Sequence, residues 1–367
     1  MKPVRLILVG GFLGAGKTTL LWQAALRLMA EGKRVGLITN DQAPELVDTK
    51  LLALEGLGVR EVAGSCFCCD FHGLLDAAEH LRNNLDADVL LAEPVGSCTD
   101  LSATILQPLK DKYRQEFTLS PLSVLVDPTR ARAVLSGRTG TLHPSAAYIF
   151  RKQLEEADWV VVNKTDLVSE KGRDSLVELF AREIPGATLK WISSKNGEGI
   201  DEWLAAARGN EVAGGRIAQV DYDTYAEGEA ILAWVNMTAR VAATGDAFLD
   251  PIAIAEGLLR RLQDALRESS SPIGHIKLLL STADGHLVGS LTSLDEAPTT
   301  SGTPGGSARE VELTVNARAE TTPDVLEALC QQTIVGVVGK KSHLEITHAH
   351  SLSPGRPEPT ERYDHIV

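Results

Sequence analysis

The sequence predicts an α/β domain with a mostly parallel sheet, followed by a smaller α+β domain. Two observations lead to this prediction. Through residues 1–208, continuously apolar strands alternate with amphipathic helices, which is typical of a parallel sheet covered on both faces. Polar or glycine residues follow most of these strands, and ligands of such sheets bind at the carboxyl ends of the strands. We therefore expect the functional residues of the first domain along that edge.

Residues 4–19, VRLILVGGFLGAGKTT, predict a buried strand, a glycine-rich turn and the start of a helix. The turn fits the pattern G-x-x-x-x-G-K-[ST], which indicates a P-loop NTPase. We expect its amides to wrap phosphates, Lys17 to neutralise the β- and γ-phosphates during catalysis, and the Thr18 hydroxyl to bind Mg²⁺. The nucleotide-binding residues predicted here are Gly11, Gly14, Ala15, Gly16, Lys17, Thr18 and Thr19.

A second motif predicts which nucleotide binds. Asn163, Lys164 and Asp166 form N-K-x-D directly after an apolar strand. The Asp166 carboxylate would accept hydrogen bonds from N1 and the exocyclic amine of guanine, which adenine cannot donate. Ser194 and Lys195 match a second guanine-contacting loop, although that pattern is looser. We therefore predict GTP, and the motif argues against the alternative of a small-molecule kinase with the same phosphate loop.

Three cysteines predict a metal site. Cys66, Cys68 and Cys69 form C-x-C-C between a strand and a helix, and clustered thiolates suit Zn²⁺, Co²⁺, Ni²⁺ or Cu⁺. Water, His72 or an acid from a neighbouring loop could complete the coordination. The alternatives are buried small side chains or a thiol redox switch. We interpret Cys98 and Cys330 as structural.

The remaining composition limits the partners. The net charge of −13 and the pI near 5.2 argue against nucleic acid or an anionic membrane as a partner. No signal-like segment precedes the first strand and no apolar run has the length of a membrane span, so we expect a cytoplasmic protein. Five cysteines, three of them within four positions, do not suggest a disulfide framework.

Changes in composition and in the pattern of apolar residues along the chain predict the domain limits. A glycine-rich bridge over residues 209–215 follows the nucleotide-binding domain, which we assign to residues 1–208. Half-exposed strand patterns and two helices then predict the α+β domain over residues 216–350. The polar, proline-rich residues 351–367 predict a mobile tail.

Together, GGFLGAGKTT, the C-x-C-C, NKTD and ITNDQAPELVD resemble the CobW branch of the CobW/HypB/UreG metal-handling GTPases. The resemblance covers residues 1–208. It implies that Asp41 and Asp48 are switch residues near Mg²⁺ and the γ-phosphate. It also matches Glu93 and Gly96 to the E-x-x-G of the family, so that Asp48 or Glu93 would orient the attacking water.

The resemblance implies a GTP-binding and GTP-hydrolysing metallochaperone or metal insertase that couples nucleotide state to a transition metal at the C-x-C-C. The implied partners are guanine nucleotide and a client metalloprotein or cofactor-assembly protein. Hydrolysis would be slow until a partner or a second copy in a homodimer completes the site. The alternatives are a metal-free GTPase chaperone that gates cofactor loading into a client enzyme, and a thiol redox sensor.

Overall fold

The computed structural model describes residues 3–42, 46–137, 142–339 and 342–367. These residues form two compact units. Within the described ranges, the first unit contains residues up to 42, residues 52–228 and residues 356–367, and the second contains the rest. The predicted fold class is confirmed, since the first unit has a parallel sheet with helices and the second has an antiparallel sheet with helices. The first unit extends beyond the predicted limit at residue 208 and also includes the end of the chain.

The sheet of the first unit has the order β3-β2-β4-β1-β6-β7-β8, with β5 beside β1. Every pairing between its described strands is parallel, as expected for strands that are apolar on both faces. The strands are β1 Val4–Gly11, β2 Val35–Asp41, β3 Gly58–Ala63, β4 Val89–Glu93, β5 Phe117–Leu119, β6 Ser123–Val126, β7 Trp159–Val162 and β8 Thr188–Trp191.

Helices cover this sheet by burying one apolar face each. In the first helix, residues at helical spacing from Leu20 to Leu28 are buried, and Gly32 follows its end at φ 78°. The helices are α1 Lys17–Ala30, α2 Val47–Leu54, α3 Phe71–Leu85, a π-helix Ser102–Leu106 continued by α4 Gln107–Lys112, α5 Pro128–Leu135, α6 Pro144–Glu156, α7 Glu170–Glu183, α8 Ile200–Ala207 and α9 Tyr222–Ala230. The first residues of α2, up to residue 51, belong to the second unit.

The second unit has an antiparallel sheet with the order β12-β11-β10-β13-β9-β14. A two-residue turn at residues 283–284 joins β10 to β11 as an antiparallel hairpin. The strands are β9 Leu232–Ala243, β10 Ile273–Thr282, β11 Gly285–Leu291, β12 Thr299–Gly302, β13 Glu310–Glu320 and β14 Ser342–Leu352, and the helices are α10 Pro251–Glu268 and α11 Pro323–Val338. No helix among the described residues is both long and apolar enough to span a bilayer.

The end of the chain differs from the predicted mobile tail. Residues up to Leu352 belong to β14, and the residues after 355 belong to the first unit. There the backbone N–H of Thr360 donates to Cys68 O at 2.9 Å, and that of Tyr363 donates to Ala103 O at 3.0 Å. Pro357 is buried. Backbone hydrogen bonds and proline burial therefore hold a segment whose polar composition predicts disorder.

Candidate nucleotide and metal site

The loop between β1 and α1 has positive φ angles at its glycines, a backbone conformation that other residues rarely adopt. Gly11 and Gly16 have φ values of 127° and 96°. A Cβ at Gly11 would lie 2.3 Å from Leu125 O, and one at Gly16 would lie 2.4 Å from Asn163 Nδ2, so neither position has room for a side chain. The Nζ of Lys17 donates to Gly11 O at 2.9 Å, which holds the lysine against its own loop.

The other predicted phosphate-loop residues differ in their exposure. Gly14 has φ 78°, and Ala15 is buried with its carbonyl turned toward Asn163. Thr18 is buried, whereas Thr19 is exposed. The amides after Gly16 open α1, and the positive end of a helix dipole favours an anion at this position.

Thr18 pairs with Glu93 at the end of β4. The Thr18 hydroxyl lies 3.1 Å from Oε1 and 2.9 Å from Oε2 of Glu93, and the Nζ of Lys17 lies 3.8 Å from Oε1. All three side chains are less than a tenth exposed. Hydroxyl and carboxylate oxygens are ligands that Mg²⁺ prefers, so the Thr18 side chain has the chemistry that its predicted role requires.

Asn163, the first residue of N-K-x-D, joins two loops. Its Nδ2 donates to Ala15 O at 2.8 Å, and its Oδ1 accepts from the Ser194 N–H at 2.8 Å. Asn163 is 1% exposed. The asparagine therefore joins the loops after β7 and β8 to the phosphate loop, because its amide can both donate and accept hydrogen bonds.

The other residues of this motif lie nearer the surface. Asp166 is exposed, and its Oδ1 accepts from the Ser193 hydroxyl at 2.6 Å. Lys195 is also exposed. Lys164 donates to Oδ2 of Asp127 at 2.6 Å. Burial opposes ionisation of Asp127, but the Lys164 ammonium overcomes it and holds the pKa of Asp127 below its usual value.

The three cysteines converge, as predicted. The Sγ of Cys66 lies 2.9 Å from that of Cys68 and 3.2 Å from that of Cys69, and the sulfurs of Cys68 and Cys69 are 3.7 Å apart. Cys66 and Cys68 are buried and Cys69 is half-buried. All five cysteines are free thiols. A set of three thiols this close can ligate one soft or borderline cation.

Asn40 at the end of β2 holds the cysteine loop. Its Nδ2 donates to Val62 O at 2.8 Å and to Ser65 O at 2.7 Å, and its Oδ1 accepts from the Phe67 N–H at 2.9 Å. Within the cysteine loop, the N–H groups of Cys69 and Asp70 both donate to Cys66 O and form a tight turn. The three thiols are therefore positioned by a buried side chain of the neighbouring parallel strand.

Among the three thiols of the cluster, Cys66 is the one that is most easily deprotonated. Hydrogen bonds from the side chains of Cys68, Cys69 and Cys98 hold the pKa of Cys66 well below its usual value. The hydrogen bond with Cys66 raises the pKa of Cys69 to about 11. Binding of a cation must therefore release protons from the cluster.

The structure also brings Cys98 to the cluster, although the sequence suggests only a structural role. Cys98 lies on the loop after β4 and is fully buried, and its thiol contributes to the lowered pKa of Cys66. Among the described residues, the thiols that lie close enough together to share one cation are those of Cys66, Cys68 and Cys69. His72, which the sequence offers as a ligand, is exposed. The spacing of five residues from Glu93 is the only sequence signal for Cys98, because its proximity depends on the pairing of β2 with β4.

The two predicted switch aspartates fall in different units. Asp41 ends β2 in the first unit and is buried. Asp48 belongs to the part of α2 in the second unit, where the Nζ of Lys277 donates to its Oδ1 at 2.6 Å. Residues 43–45 between them lie outside the described part of the chain. The role of Asp48 near Mg²⁺ therefore stays a prediction.

The end of the chain contacts the cysteine loop. The N–H of Glu358 donates to Cys69 Sγ at 3.2 Å, and the Thr360 hydroxyl donates to Cys69 O at 2.7 Å. Arg362 donates to Asp100 Oδ2 at 2.7 Å. These contacts cover the more exposed side of the cluster, and nothing in the sequence pattern predicts them.

Comparisons with known proteins identify the family. The model of the CobW/HypB/UreG nucleotide-binding domain matches residues 5–188. "Zinc chaperone CobW" of Sinorhizobium sp is 29% identical over 219 residues, covering 52% of this chain and 58% of that protein. "Zinc chaperone YjiA" of Escherichia coli (strain K12) is 28% identical over 190 residues, covering 50% and 56%. Among solved structures, HypB from Helicobacter pylori in complex with nickel is 18% identical, covers 55% of this chain and 84% of its own, and has a TM-score of 0.41.

The chain spans little more than half the length of these curated relatives. The region that matches the family model begins in β1 and ends at the first residue of β8, so it contains the phosphate loop, the cysteine loop and the N-K-x-D motif. Because the model matches half of the chain over the elements that build the nucleotide site, this protein belongs to the CobW/HypB/UreG family.

Proposed function

We propose that the protein is a GTP-binding and GTP-hydrolysing metallochaperone or metal insertase. It couples its nucleotide state to the binding and transfer of Zn²⁺, Co²⁺ or Ni²⁺ at Cys66, Cys68 and Cys69. The observation that carries the proposal is the convergence of these three thiols at the edge of the sheet that also carries the phosphate loop. The names of the two curated relatives favour zinc.

The nucleotide is held by residues with separate tasks. Lys17 neutralises the β- and γ-phosphates, and the backbone amides of the loop donate to the phosphate oxygens. Thr18 and Asp41 are the proposed oxygen ligands of Mg²⁺, whose charge offsets the charge of the phosphates. Asp166 accepts from the guanine base, and Ser194 and Lys195 border the same site.

Glu93 is the proposed positioning group for the attacking water. Glu93 is buried beside Lys17 and Thr18. Its carboxylate would therefore lie near the γ-phosphate, where it could accept a hydrogen bond from the attacking water. Asp48 is the second candidate for this role. In the structure its carboxylate is occupied by Lys277, and that ion pair must open before Asp48 can contact a nucleotide. Slow hydrolysis without a partner follows if these groups are incompletely arranged.

The loop after β4 provides the coupling between nucleotide and cysteines. Glu93 at its start pairs with Thr18, and a Cβ at Gly96 would lie 2.6 Å from the Leu13 side chain of the phosphate loop. A Thr18 hydroxyl that binds Mg²⁺ must reduce its contact with Glu93. The loop then shifts relative to the cysteine loop, and metal affinity changes with nucleotide state. A client metalloprotein or cofactor-assembly protein receives the metal, and a homodimer is the proposed assembly.

The test measures metal affinity in three nucleotide states. Zn²⁺ affinity is determined by competition with a chromophoric chelator for the wild type and for Cys68→Ser, each with a GTP analogue, with GDP and without nucleotide. We expect one high-affinity metal per wild-type chain, an affinity that depends on the nucleotide, and loss of that site in Cys68→Ser. Cys330→Ser is the matched control, because Cys330 is a buried thiol in the aliphatic core of the second unit.

Two results would contradict the proposal in different ways. An absence of tight metal binding in the reduced wild type would favour the metal-free chaperone. Equal Zn²⁺ affinities in all three nucleotide states would remove the coupling while leaving a metal site.

A further inference from the structure

Residues 356–367, which we call the strap, belong to the first unit and lie against its cysteine loop. The Thr360 N–H donates to Cys68 O at 2.9 Å, and the Thr360 hydroxyl donates to Cys69 O at 2.7 Å. The N–H of Glu358 donates to the Sγ of Cys69 at 3.2 Å. One of these hydrogen bonds therefore ends on a sulfur of the proposed metal site.

The strap is also attached to the segment that follows β4. The Nε of Arg362 donates to Asp100 Oδ2 at 2.7 Å. The N–H of Tyr363 donates to Ala103 O at 3.0 Å, and its hydroxyl donates to Asp111 Oδ2 at 2.6 Å. The strap therefore joins the cysteine loop to residues 100–111.

The ion pair between Arg362 and Asp100 is the main attachment. Asp100 is fully buried, whereas the Arg362 side chain is 31% exposed. A buried carboxylate needs hydrogen bonds and a counter-charge. The Tyr222 hydroxyl donates to Asp100 Oδ2 at 2.7 Å, and Arg362 supplies the positive charge. Because a hydrogen bond to a charged group is stronger than one between neutral groups, we expect Arg362 to contribute most to the docking of the strap.

Little apolar burial adds to these polar contacts. Among residues 356–367, Pro357 is buried and the others are half-buried or exposed. A segment that is held mainly by hydrogen bonds and ion pairs can open locally while the rest of the unit stays folded. The strap therefore has the properties of a reversible cover.

The strap contacts the side of the cluster from which a cation can enter. Cys66 and Cys68 are 3% and 1% exposed, whereas Cys69, whose Sγ the strap contacts, is half-buried. We propose that the strap is a gate over the metal site. Zn²⁺ enters and leaves the cluster when the strap releases Cys69, and the docked strap retains the bound metal. This inference rests on the proposed metal-handling function.

The experiment measures both rates of Zn²⁺ exchange on the reduced full chain. Stopped-flow mixing of the metal-free protein with Zn²⁺ gives the association rate, and transfer to an excess of a chromophoric chelator gives the dissociation rate. We expect both rates to rise by roughly 10-fold or more in Arg362→Gln, because the variant loses a hydrogen bond to a buried charge. Arg182→Gln, at an exposed position on α7, is the matched control and should exchange Zn²⁺ as the wild type does.

A second variant covers the case in which Arg362→Gln does not fold, as judged by circular dichroism and GDP binding. Thr360→Val removes the hydroxyl donor to Cys69 O and leaves the pair between Arg362 and Asp100 intact. Both exchange rates should rise by about several-fold in this variant, since it loses one hydrogen bond between neutral groups.

The association rate distinguishes a gate from a segment that only strengthens the metal site, because such a segment would slow dissociation alone. Unchanged rates in the folded variants, or faster dissociation with unchanged association, would overturn the gate and leave the metal site standing. A wild type with no tight Zn²⁺ site would overturn the proposed function as well.

Discussion

The hydroxyl of Thr18 lies within 3.1 Å of both carboxylate oxygens of Glu93. Thr18 lies in the first turn of α1 and Glu93 ends β4, yet both are buried, and the Nζ of Lys17 lies 3.8 Å from Oε1 of Glu93. Under the proposed function, Glu93 would respond when the Thr18 hydroxyl engages a cation. This contact is the point at which the phosphate loop can act on the rest of the first unit.

Glu93→Gln should lower the rate of GTP hydrolysis by roughly 10²-fold or more, the scale of a positioned acid–base group. The affinity for a GTP analogue should change little, because the amide can still accept from Thr18. Single-turnover hydrolysis and fluorescent nucleotide binding measure the two effects separately. Glu79→Gln, at an exposed position on α3, is the control. A variant with the wild-type rate would exclude a role for Glu93 in hydrolysis.

Asp166→Asn should change the base preference. In the variant the NH₂ group of asparagine faces the exocyclic amine of guanine, and the loss of this hydrogen bond should lower the affinity for GDP by about 10- to 100-fold. Xanthine has a carbonyl at the same position, which can accept from the asparagine, so the affinity for xanthosine diphosphate should rise. Binding of GDP, xanthosine diphosphate and ADP to the wild type and the variant is the measurement, with Asp174→Asn on the exposed side of α7 as the control. If the wild type binds ADP as tightly as GDP, the assignment of guanine is wrong.

Glu156 predicts an unusual pH dependence of stability. It is fully buried, and desolvation together with the Asp100 carboxylate raises its pKa to about 8. Its oxygens accept from the Thr99 hydroxyl at 3.0 Å and the Ser102 N–H at 2.8 Å. Asp100 itself pairs with Arg362.

Proton linkage gives the direction in which pH changes the stability contributed by Glu156. Between its ordinary pKa of 4.5 and about 8, Glu156 is neutral in the folded chain and ionised in the unfolded chain. Its contribution to stability is therefore complete below about pH 4.5 and is lost as the pH rises through 8. Glu156→Gln should remove this loss, on the order of a few kcal/mol between pH 5 and 8.5.

Urea unfolding at several pH values measures this difference. At pH 5 the wild type and Glu156→Gln should be close in stability, since the amide can accept from Ser102 and donate to Thr99. At pH 8.5 the variant should be the more stable of the two. Glu178→Gln, at an exposed position on α7, is the control. Parallel pH profiles of the wild type and Glu156→Gln would show that Glu156 does not titrate in this range.

The end of the chain should protect Cys69. A stop codon after Gly355 removes the donors from Glu358 and Thr360 to the cysteine loop. Alkylation of Cys69 in the metal-free, reduced chain, followed by mass spectrometry, should become several-fold faster because the half-buried thiol gains exposure. His365→Ala, beyond these contacts, should react as the wild type does. An unchanged rate in the truncated chain would mean that these residues do not shield the thiol.

Much of the nucleotide site could be predicted because it is local in sequence. The phosphate loop and N-K-x-D each place their groups within a few residues, and parallel strands bring their carboxyl ends to one edge. The C-x-C-C is local in the same way, so the convergence of its sulfurs follows from its spacing. The loops that follow β3 and β4 are far apart in the sequence, and the strand order β3-β2-β4 brings both to the same edge of the sheet.

The sequence by itself determined the parallel sheet, the phosphate loop, the guanine motif and the three clustered thiols. The periodicity of apolar residues, the positions of glycines and the short spacing within motifs all depend on interactions between residues that are near one another in the chain. Tertiary structure decided which distant groups join them: Glu93 at Thr18, and the residues around Thr360 at Cys69. These contacts depend on strand order and on backbone hydrogen bonds, and backbone groups are the same at every residue. No side-chain pattern encodes them, so they emerge only when the chain is folded.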